Sequence, residues 1–420
     1  MILKLGGVNM SIDRENQLST SRVPDNERVG WKAPLFNMLG SNIAISELMV
    51  GGTLIAGMTF KEMLLTSFIG NILLVFILAI QGYMGCKEGL NTYVLAESVF
   101  GEKGGKFIIS SILAISSFGW FGIQTGVAGL SVQKIFPNIN LTLATIVLGL
   151  LMMVFAVFGF KAMAKFNYVA VPALIILMAW GVFKATSINS FDSILSYTPS
   201  ETISLGEGLN MVIGLIIVGA VISPDQLRFT KGLKDIIIIG VVGFAIISVF
   251  QQAAAGILAM NSPSWDITQV LADLGFGTIA FLILLLASWS TNVGNAYSGG
   301  LALKNIFSNV SRDNLTLIAG VIGTIFAATG IIFKFENFLS LLSNTVAPMA
   351  GVMWIDYYII NKQKLIKRTN INFNALISWI IGSIVSFIST KYNLFIPPIN
   401  GIFISAIIYY GLMKISVKDS

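Results

Sequence analysis

The sequence predicts an all-α membrane protein, because its composition, its hydropathy and the spacing of its apolar runs agree on that class. The chain has 420 residues, of which 55% are hydrophobic and 11% are charged, and its mean hydropathy is +0.83. This composition lies far outside the averages of soluble proteins. Runs of roughly 20 apolar residues, enough to cross a bilayer as a helix, recur along the chain. We therefore predict twelve transmembrane helices.

The twelve predicted spans are numbered in chain order. They cover residues 34–58, 63–85, 106–133, 140–160, 164–184, 206–226, 235–260, 277–306, 314–333, 337–359, 371–390 and 395–414. Spans 3 and 8 are long enough to imply tilted helices. Two polar or amphipathic segments, 87–105 and 262–275, are expected to lie at the membrane surface.

The spans divide the chain into a core and two additional helices. The core, 34–359, consists of two five-span halves at about 34–184 and 206–359. An odd number of spans inverts the second half relative to the first, which predicts a five-plus-five inverted repeat. The remaining parts are a tail at 1–33, two additional transmembrane helices at 371–414 and a tail at 415–420.

Positive charge orients the predicted helices. Of the 26 Lys and Arg residues, 21 fall in segments on the side of the N-terminus and only five in the opposite segments. This bias predicts that both termini are cytoplasmic. Residues 6–8, directly before Asn9 and Met10, read as a translated ribosome-binding sequence. We therefore expect synthesis to begin at Met10 and the protein to lie in a bacterial inner membrane.

The composition also argues against several classes of function. The chain has no histidine and a single cysteine, Cys86, so it lacks the commonest metal ligand and general base. A membrane enzyme would need a nucleophile–base pair or a metal cluster, and neither is visible, so no cofactor is expected. A channel would normally show rings of charge or a selectivity filter. The net charge of +6 reflects the loop asymmetry and gives no reason to expect a nucleic-acid partner.

Span 1 carries polar and small residues where a membrane helix is normally apolar. They are Gly40, Ser41, Asn42, Ser46, Glu47, Gly51 and Gly52. A carboxylate at mid-membrane is costly, and a broken helix at that depth is tolerated only where it lines a protein cavity. The middle of no predicted span carries Lys or Arg. Glu47 therefore predicts a binding site, and the alternative is a protonated acid bonded to neighbouring helices.

Span 6 is the matching interrupted helix of the second half. Its interrupting residues are Gly206, Gly208, Gly214, Gly219, Ser223 and Pro224. Paired interrupted helices at equivalent positions indicate a midplane site in a secondary transporter. The alternative is that the glycines only permit close helix packing.

Two further spans carry candidate ligand-binding side chains. Trp120 and Gln124 of span 3 are four residues apart, so they share one helix face. An indole can stack on a flat ring and an amide can bond its edge. Alternatively, both are buried structural residues. In span 8, Ser290 and Thr291 offer hard oxygen ligands for a small cation, and Asn295 is a candidate substrate-binding residue. Their hydroxyls could instead bond back to their own helix.

Several longer stretches together resemble one transporter family. They are GGTLIAGMTF (51–60), GNILLVFILAIQGYMGCKEGLNTYVLAESVFG (70–101), GWFGIQTG (119–126), SPDQLRF (223–229) and WSTN (289–292). The chain resembles the nucleobase–cation symporters, in the branch of cytosine permeases and hydantoin transporters. The stretch SNIAISELMVGGTL is most similar to the hydroxymethylpyrimidine permeases. The resemblance implies the inverted-repeat fold with broken helices 1 and 6, and cation-coupled uptake by alternating access.

The resemblance also implies roles for individual residues. Trp120 would stack on the base, Gln124 would hydrogen-bond it, and Ala44 and Glu47 would line the broken part of span 1. The implied sodium ligands are the carbonyls of Gly40, Ile43 and Ala287 and the hydroxyls of Ser290 and Thr291. The chain departs from cytosine permeases at three positions of the implied site. These are Ser117 in place of Gln, Ala287 in place of a base-binding Asn, and Ile216 in place of a stacking aromatic residue.

The resulting hypothesis is a monomeric importer of a nucleobase-like heterocycle, driven by sodium or a proton. The three departures argue against cytosine, whereas a methyl-bearing aminopyrimidine such as hydroxymethylpyrimidine could pack on Ile216 and pair with Glu47. The alternatives are cytosine itself, a purine, hydantoin or allantoin permease of the same family, and an amino-acid carrier sharing the fold.

Overall fold

The chain is almost entirely helical in this computed structural model, which describes residues 2–5, 8–11, 22–157, 160–188 and 190–418. Two short strands, β1 Ile2–Leu5 and β2 Val8–Ser11, pair antiparallel. The helices are α1 Lys32–Asn42, α2 Ile45–Gly57, α3 Phe60–Glu88, α4 Thr92–Phe100, α5 Glu102–Ile135, α6 Leu141–Val157, α7 Phe160–Ile188, α8 Phe191–Leu195, α9 Leu205–Val221, α10 Pro224–Leu227, α11 Leu233–Gly240, α12 Val249–Ala259, α13 Ile267–Asp273, α14 Thr278–Ile306, α15 Arg312–Ala328, α16 Phe335–Trp354, α17 Phe373–Lys391 and α18 Pro397–Lys418. The π-helical segments Val241–Ser248 and Ile355–Ile360 continue α11 and α16, and 3-10 turns lie at Asp25–Glu27 and Ile331–Lys334.

The long apolar helices match the predicted spans in position. Each of the twelve predicted spans contains a helix within the described ranges. Eight helices in those ranges are long and apolar enough to cross a membrane. Apolar side chains such as Phe76, Phe250 and Phe403 are exposed on their outer faces, as expected for a protein whose surroundings are lipid. The count of twelve crossings and the symmetry of the two halves stay predictions.

Span 1 is broken, as the sequence predicts. Helix α1 ends at Asn42 and α2 begins at Ile45, and between them Ala44 has extended backbone angles (φ −139°, ψ 155°). Gln251 of α12 donates a 3.0 Å hydrogen bond from Nε2 to the carbonyl oxygen of Asn42. A side chain from another helix therefore satisfies a carbonyl that the break takes out of the helix.

Span 6 is interrupted at one end rather than along its length. Gly206, Gly208, Gly214 and Gly219 all stay within α9, which ends at Val221 before the short helix α10. A β-carbon on Gly208 would meet Met58 Cε at 2.6 Å, and one on Gly214 would meet the carbonyl carbon of Leu339 at 2.8 Å. The prediction that the glycines interrupt the helix is therefore wrong, because Gly208 and Gly214 permit close helix packing instead.

Two groups of helices form most of the core. In one group α2 packs on α12 and α3 packs on α9, and in the other α5, α6, α14 and α15 pack on one another. Glycines mark the close approaches. A β-carbon on Gly51 of α2 would lie 2.7 Å from Ala255 Cβ of α12, and one on Gly300 of α14 would lie 2.8 Å from Thr316 Cα of α15. Helix α7 contacts α14 and α12, and therefore bridges the two groups.

The predicted surface segment 87–105 forms helix α4, and it packs on the protein. Asp225, just after the interruption of span 6, accepts a 2.8 Å hydrogen bond from the backbone nitrogen of Thr92, the first residue of α4. Leu95 and Phe100 are fully buried. The second predicted surface segment contains the short helix α13.

Candidate functional site

A small cavity lies where the break of span 1 meets α14 and α7. Its volume is about 10 Å³, close to the space that one water-sized body needs. Its lining residues are Ile43, Ala44, Ala170, Val171, Leu174, Ala287, Ser290 and Thr291. The cavity therefore lies between the two helix groups, because Ile43 and Ala44 belong to one and α14 to the other.

This cavity brings together four of the five predicted sodium ligands and also Ala44. Gly40 lies in α1, but its surroundings are outside the described side chains. Ser290 is 3% exposed. Thr291 donates a 3.0 Å hydrogen bond from Oγ1 to the carbonyl oxygen of Ala287, which is the back-bonding alternative considered from the sequence. The hydroxyl oxygen keeps its lone pairs as acceptors in this arrangement.

The chemistry of the cavity suits a small hard cation. The hydroxyls of Ser290 and Thr291 and the backbone carbonyls beside the break are oxygen ligands of the kind that hard cations prefer. Among the described residues there is no cluster of three or more His, Cys, Asp or Glu that could hold a transition metal. The α7 residues Ala170, Val171 and Leu174 were missed by sequence reasoning, because small apolar residues in an apolar span carry no distinguishing signal.

Trp120 of α5 is half-buried against two phenylalanines of α16. Its ring lies 5.3 Å from Phe338 at an interplanar angle of 84°, and 6.3 Å from Phe335 at 68°. Both contacts are edge-to-face, so neither phenylalanine stacks in parallel on the indole. The two rings pack on Trp120 and fix its orientation. Neither phenylalanine could be singled out among the 29 in the sequence.

Gln124, one helical turn from Trp120, has an unsatisfied acceptor. The residue is 1% exposed, and no donor within the described ranges approaches its Oε1. A buried polar atom without a partner costs about 1–3 kcal/mol. A structural amide bridging two helices would normally have its oxygen paired. Oε1 of Gln124 is therefore an acceptor without a donor in the part of the chain that the structure describes.

Glu47 is buried and already bonded to another helix. It is 2% exposed, and its Oε2 accepts a 2.7 Å hydrogen bond from Nε2 of Gln252 on α12. The Ser67 hydroxyl of α3 donates in turn to Oε1 of Gln252, and the Ser248 hydroxyl lies beside the Glu47 carboxyl. The bond to a neighbouring helix is one part of the alternative considered from the sequence. The signal that could have pointed to Gln252 is the pair of glutamines, 251 and 252, inside an apolar span.

The remaining candidate residues lie at helix interfaces. Ser117 of α5 lies against Gly299 of α14, where an added β-carbon would be 3.2 Å from Ser117 Cβ. Asn295 donates a 3.2 Å hydrogen bond to Oδ1 of Asn292 within α14. Ile216 is 8% exposed and belongs to the main apolar core. The substrate contacts expected for these three residues stay predictions.

Broken helices around buried polar groups inside a membrane define a class, the secondary transporters. Residues 22–412 match a family described as "Permease for cytosine/purines, uracil, thiamine, allantoin". The chain is 30% identical over 381 residues to the cytosine permease of Escherichia coli (strain K12), which covers 88% of this chain and 89% of that permease. It is also 24% identical over 340 residues to the hydantoin permease of Microbacterium maritypicum, which covers 72% and 69%. The chain belongs to the nucleobase–cation symporter family, as the resemblance in the sequence predicted, and it is a transport protein rather than an enzyme.

The fold is similar to solved structures of a family member. The inward-facing structure of Mhp1, 19% identical, overlays with a TM-score of 0.84 over 96% of this chain and 94% of that one. A closed structure of the same transporter with bromovinylhydantoin bound gives a TM-score of 0.78 over 96% of each chain. The predicted transporter fold is therefore confirmed at the level of overall architecture.

Proposed function

We propose that this protein is a cation-coupled importer of an aminopyrimidine that works by alternating access. The observation that carries the proposal is the cavity between Ala44 of the broken span 1 and Ser290 of α14. A cation held there would contact both helix groups at once. It would thus favour the arrangement in which they are close together. A substrate that favours the same arrangement would then bind more tightly with the cation present, and the effect is reciprocal.

The substrate would be held by Trp120 and Gln124. The indole face provides a stacking surface for a flat ring, and the unpaired Oε1 of Gln124 accepts an N–H from the ring or from an exocyclic amine. A 4-aminopyrimidine offers both features. Ser117, Ala287 and Ile216 replace polar or aromatic groups expected in cytosine permeases, which favours hydroxymethylpyrimidine over cytosine. This preference for hydroxymethylpyrimidine rests on the sequence.

A direct two-bond pairing of Glu47 with the aminopyrimidine is left out of the proposal. Such a pairing needs both carboxylate oxygens to face the ligand, whereas Oε2 already accepts a hydrogen bond from Gln252 and the Ser248 hydroxyl lies beside the carboxyl. The substrate contact expected for Glu47 from the sequence stays a prediction that a variant can test.

We propose sodium rather than a proton as the coupling ion. The ligands around the cavity are neutral oxygens, which can bind sodium but cannot carry a proton at ordinary pH. We further propose a monomer in a bacterial inner membrane with both termini cytoplasmic, on the basis of the charge asymmetry of the loops.

The test is a thermal-shift screen on the purified protein with and without sodium. The panel contains hydroxymethylpyrimidine, cytosine, uracil, hydantoin, allantoin, purines and a neutral amino acid. A ligand at 100 times its dissociation constant stabilises the protein by about 2.7 kcal/mol. We expect stabilisation by 4-aminopyrimidines and a larger effect with sodium. Stabilisation only by hydantoin, allantoin or purines would overturn the substrate class, and a sodium-independent response would overturn the coupling ion.

A further inference from the structure

Buried polar side chains gather between α2, α3 and α12, separately from the cavity lined by Ser290 and Thr291. They are Glu47, Ser67, Asn71, Ser248 and Gln252, all between 0% and 2% exposed. Such a group inside a membrane protein is costly unless its members satisfy one another or a ligand. The hydrogen bonds described above join Glu47, Gln252 and Ser67. Asn71 is joined to this group by a hydrogen bond from its amide nitrogen, Nδ2, to the backbone carbonyl of Ser67.

The antiparallel packing of α3 and α12 places Asn71 level with Ser248. Gly256 of α12 packs against Met63 of α3, and four residues further on Gln252 bonds to Ser67. From this register we infer that the next step of four residues, backward along α12 and forward along α3, brings Ser248 and Asn71 to the same level, and no hydrogen bond joins Ser248 Oγ to Asn71 Oδ1. The π-helical segment that ends at Ser248 contacts α3, which agrees with this register.

The amide oxygen of Asn71 has no partner among the described residues. Nδ2 donates a 2.9 Å hydrogen bond to the carbonyl oxygen of Ser67, which fixes the orientation of the amide. Oδ1 then points away from that bond, is fully buried and is unpaired. An acceptor in this state requires a donor or a cation.

The charge of the group leads to the same requirement. The donors that face the Glu47 carboxyl within the described ranges are both neutral, the amide of Gln252 and the hydroxyl of Ser248, and none of the ion pairs in those ranges involves Glu47. A buried carboxylate is stabilised by a positive charge close to it. A carboxylate, an amide oxygen and a hydroxyl are together the ligand types that small hard cations prefer.

We propose that Glu47, Asn71 and Ser248 form a second sodium site, enclosed within one helix group. A sodium ion there supplies a positive counter-charge for the Glu47 carboxylate and a partner for Oδ1 of Asn71. It cross-links α2, α3 and the end of the π-helical segment. Because the backbone nitrogen of Glu47 bonds to the carbonyl oxygen of Ala44, this ion also holds the first turn of α2 next to the break. Occupation of the second site therefore favours binding at the first one.

The experiment counts sodium ions bound to the purified full-length protein with radioactive sodium-22 in the absence of substrate. It does not depend on the identity of the heterocycle. We expect two ions per wild-type chain. Ser248→Ala and Asn71→Leu should each lose one ion or weaken its affinity by at least about tenfold. Ser290→Ala combined with Thr291→Ala should lose the other ion. A variant that carries all four substitutions should bind no sodium.

Two further variants separate the loss of a ligand from the loss of the fold. Ser131→Ala removes another fully buried serine, whose hydroxyl bonds back to Val127 of its own helix at 2.8 Å, and should keep both ions. Ser248→Thr keeps the hydroxyl and should restore the count that Ser248→Ala loses. Bound sodium is counted only for variants that purify as a monodisperse protein.

The outcomes distinguish this inference from the proposed function. A single ion that only the Ser290 and Thr291 variants remove overturns the second site and leaves the proposed coupling intact. A single ion that only the Ser248 and Asn71 variants remove supports the second site and overturns the proposed coupling site. An unchanged count in both Ser248→Ala and Asn71→Leu overturns the inference, and a wild-type protein that binds no sodium overturns both.

Discussion

Gln252 of α12 donates a 2.7 Å hydrogen bond to the carboxylate of Glu47 on α2. The two residues are 205 positions apart in the chain. Through this bond the helix that follows the break in span 1 is held to span 7, within one helix group. The acid that attracts attention in the sequence is therefore also part of the packing between helices, and its role has to be separated experimentally from that packing.

Glu47→Gln distinguishes a cation-binding role from a substrate-binding role. We expect the sodium concentration for half-maximal substrate binding to rise at least about tenfold, because the variant removes the charged ligand of the proposed second site. Substrate binding at saturating sodium should stay within about twofold, since less than about 0.5 kcal/mol is then lost. The measurement is substrate binding over a sodium titration. A loss of about 1–3 kcal/mol that sodium does not restore would assign Glu47 to the substrate, as the sequence predicted.

Gln252→Leu tests the contribution of the same bond to stability. The variant leaves the buried carboxylate of Glu47 without its amide donor, so we expect a loss of about 1–3 kcal/mol in unfolding free energy. The measurement is thermal or denaturant unfolding in detergent at fixed sodium. A matched control is Gln133→Leu, whose half-buried amide donates a hydrogen bond to the nearby carbonyl of Ile139 at a helix end. Equal effects of the two variants would show that the Glu47 contact has no special weight.

Trp120→Ala tests stacking of the substrate. Aromatic stacking on a base is worth about 1–3 kcal/mol, which corresponds to a fall of about 5- to 150-fold in affinity. Trp120→Phe should retain part of the substrate affinity that Trp120→Ala loses. Trp180 is the control, because it also makes an edge-to-face contact with a phenylalanine, Phe276, but is exposed on the outside of α7. Substrate binding that survives Trp120→Ala would make Trp120 structural.

Gln124→Leu should separate stability from binding. Because Oε1 of Gln124 is buried and unpaired, an apolar side chain of similar size should leave the unliganded protein as stable or stabilise it. Substrate affinity should fall by about tenfold or more, since the donor of the ligand loses its acceptor and each tenfold corresponds to about 1.4 kcal/mol. Unfolding and substrate binding are measured on the same preparation. A loss of stability with unchanged affinity would identify Gln124 as a structural amide.

Ser290→Ala combined with Thr291→Ala tests the cavity between the helix groups. We expect sodium stimulation of uptake to be lost, because both hydroxyl ligands of the proposed coupling site are removed. Uptake by proteoliposomes is measured with a sodium gradient and, separately, with a proton gradient. Wild-type uptake that follows only the proton gradient would exclude sodium as the driving ion.

Local features of the sequence predicted the break of span 1 and the position of Trp120 and Gln124 on one face of a helix. Polar and small residues in mid-membrane weaken a helix wherever they occur, and residues four apart share a helix face regardless of the rest of the fold. Both inferences need only neighbouring residues. The family was likewise predictable, because its motifs are contiguous stretches of chain.

Features that depend on distant contacts were not predictable. Gly214 reads the same in a sequence whether it interrupts a helix or packs against the carbonyl group of Leu339, and only the neighbouring helix distinguishes the two. Phe338 and Ala170 are ordinary apolar residues until the fold brings them to Trp120 and to the cavity. The pair Gln251 and Gln252 marks its apolar span as unusual, but only the fold shows that Gln252 is the partner of Glu47.

The approach of α2 to α12 at Gly51 has an evolutionary consequence. Glu47 and Gly51 are four residues apart on α2 and face the same helix, which carries both Gln252 and Ala255. A single methyl group at Gly51 would push α2 and α12 apart and so disturb the hydrogen bond of Glu47 one turn away. Because a β-carbon at residue 51 would also clash with the backbone carbonyl group of Gln252, relatives that enlarge this residue are expected to hold the two helices further apart, or to have dispensed with the acid.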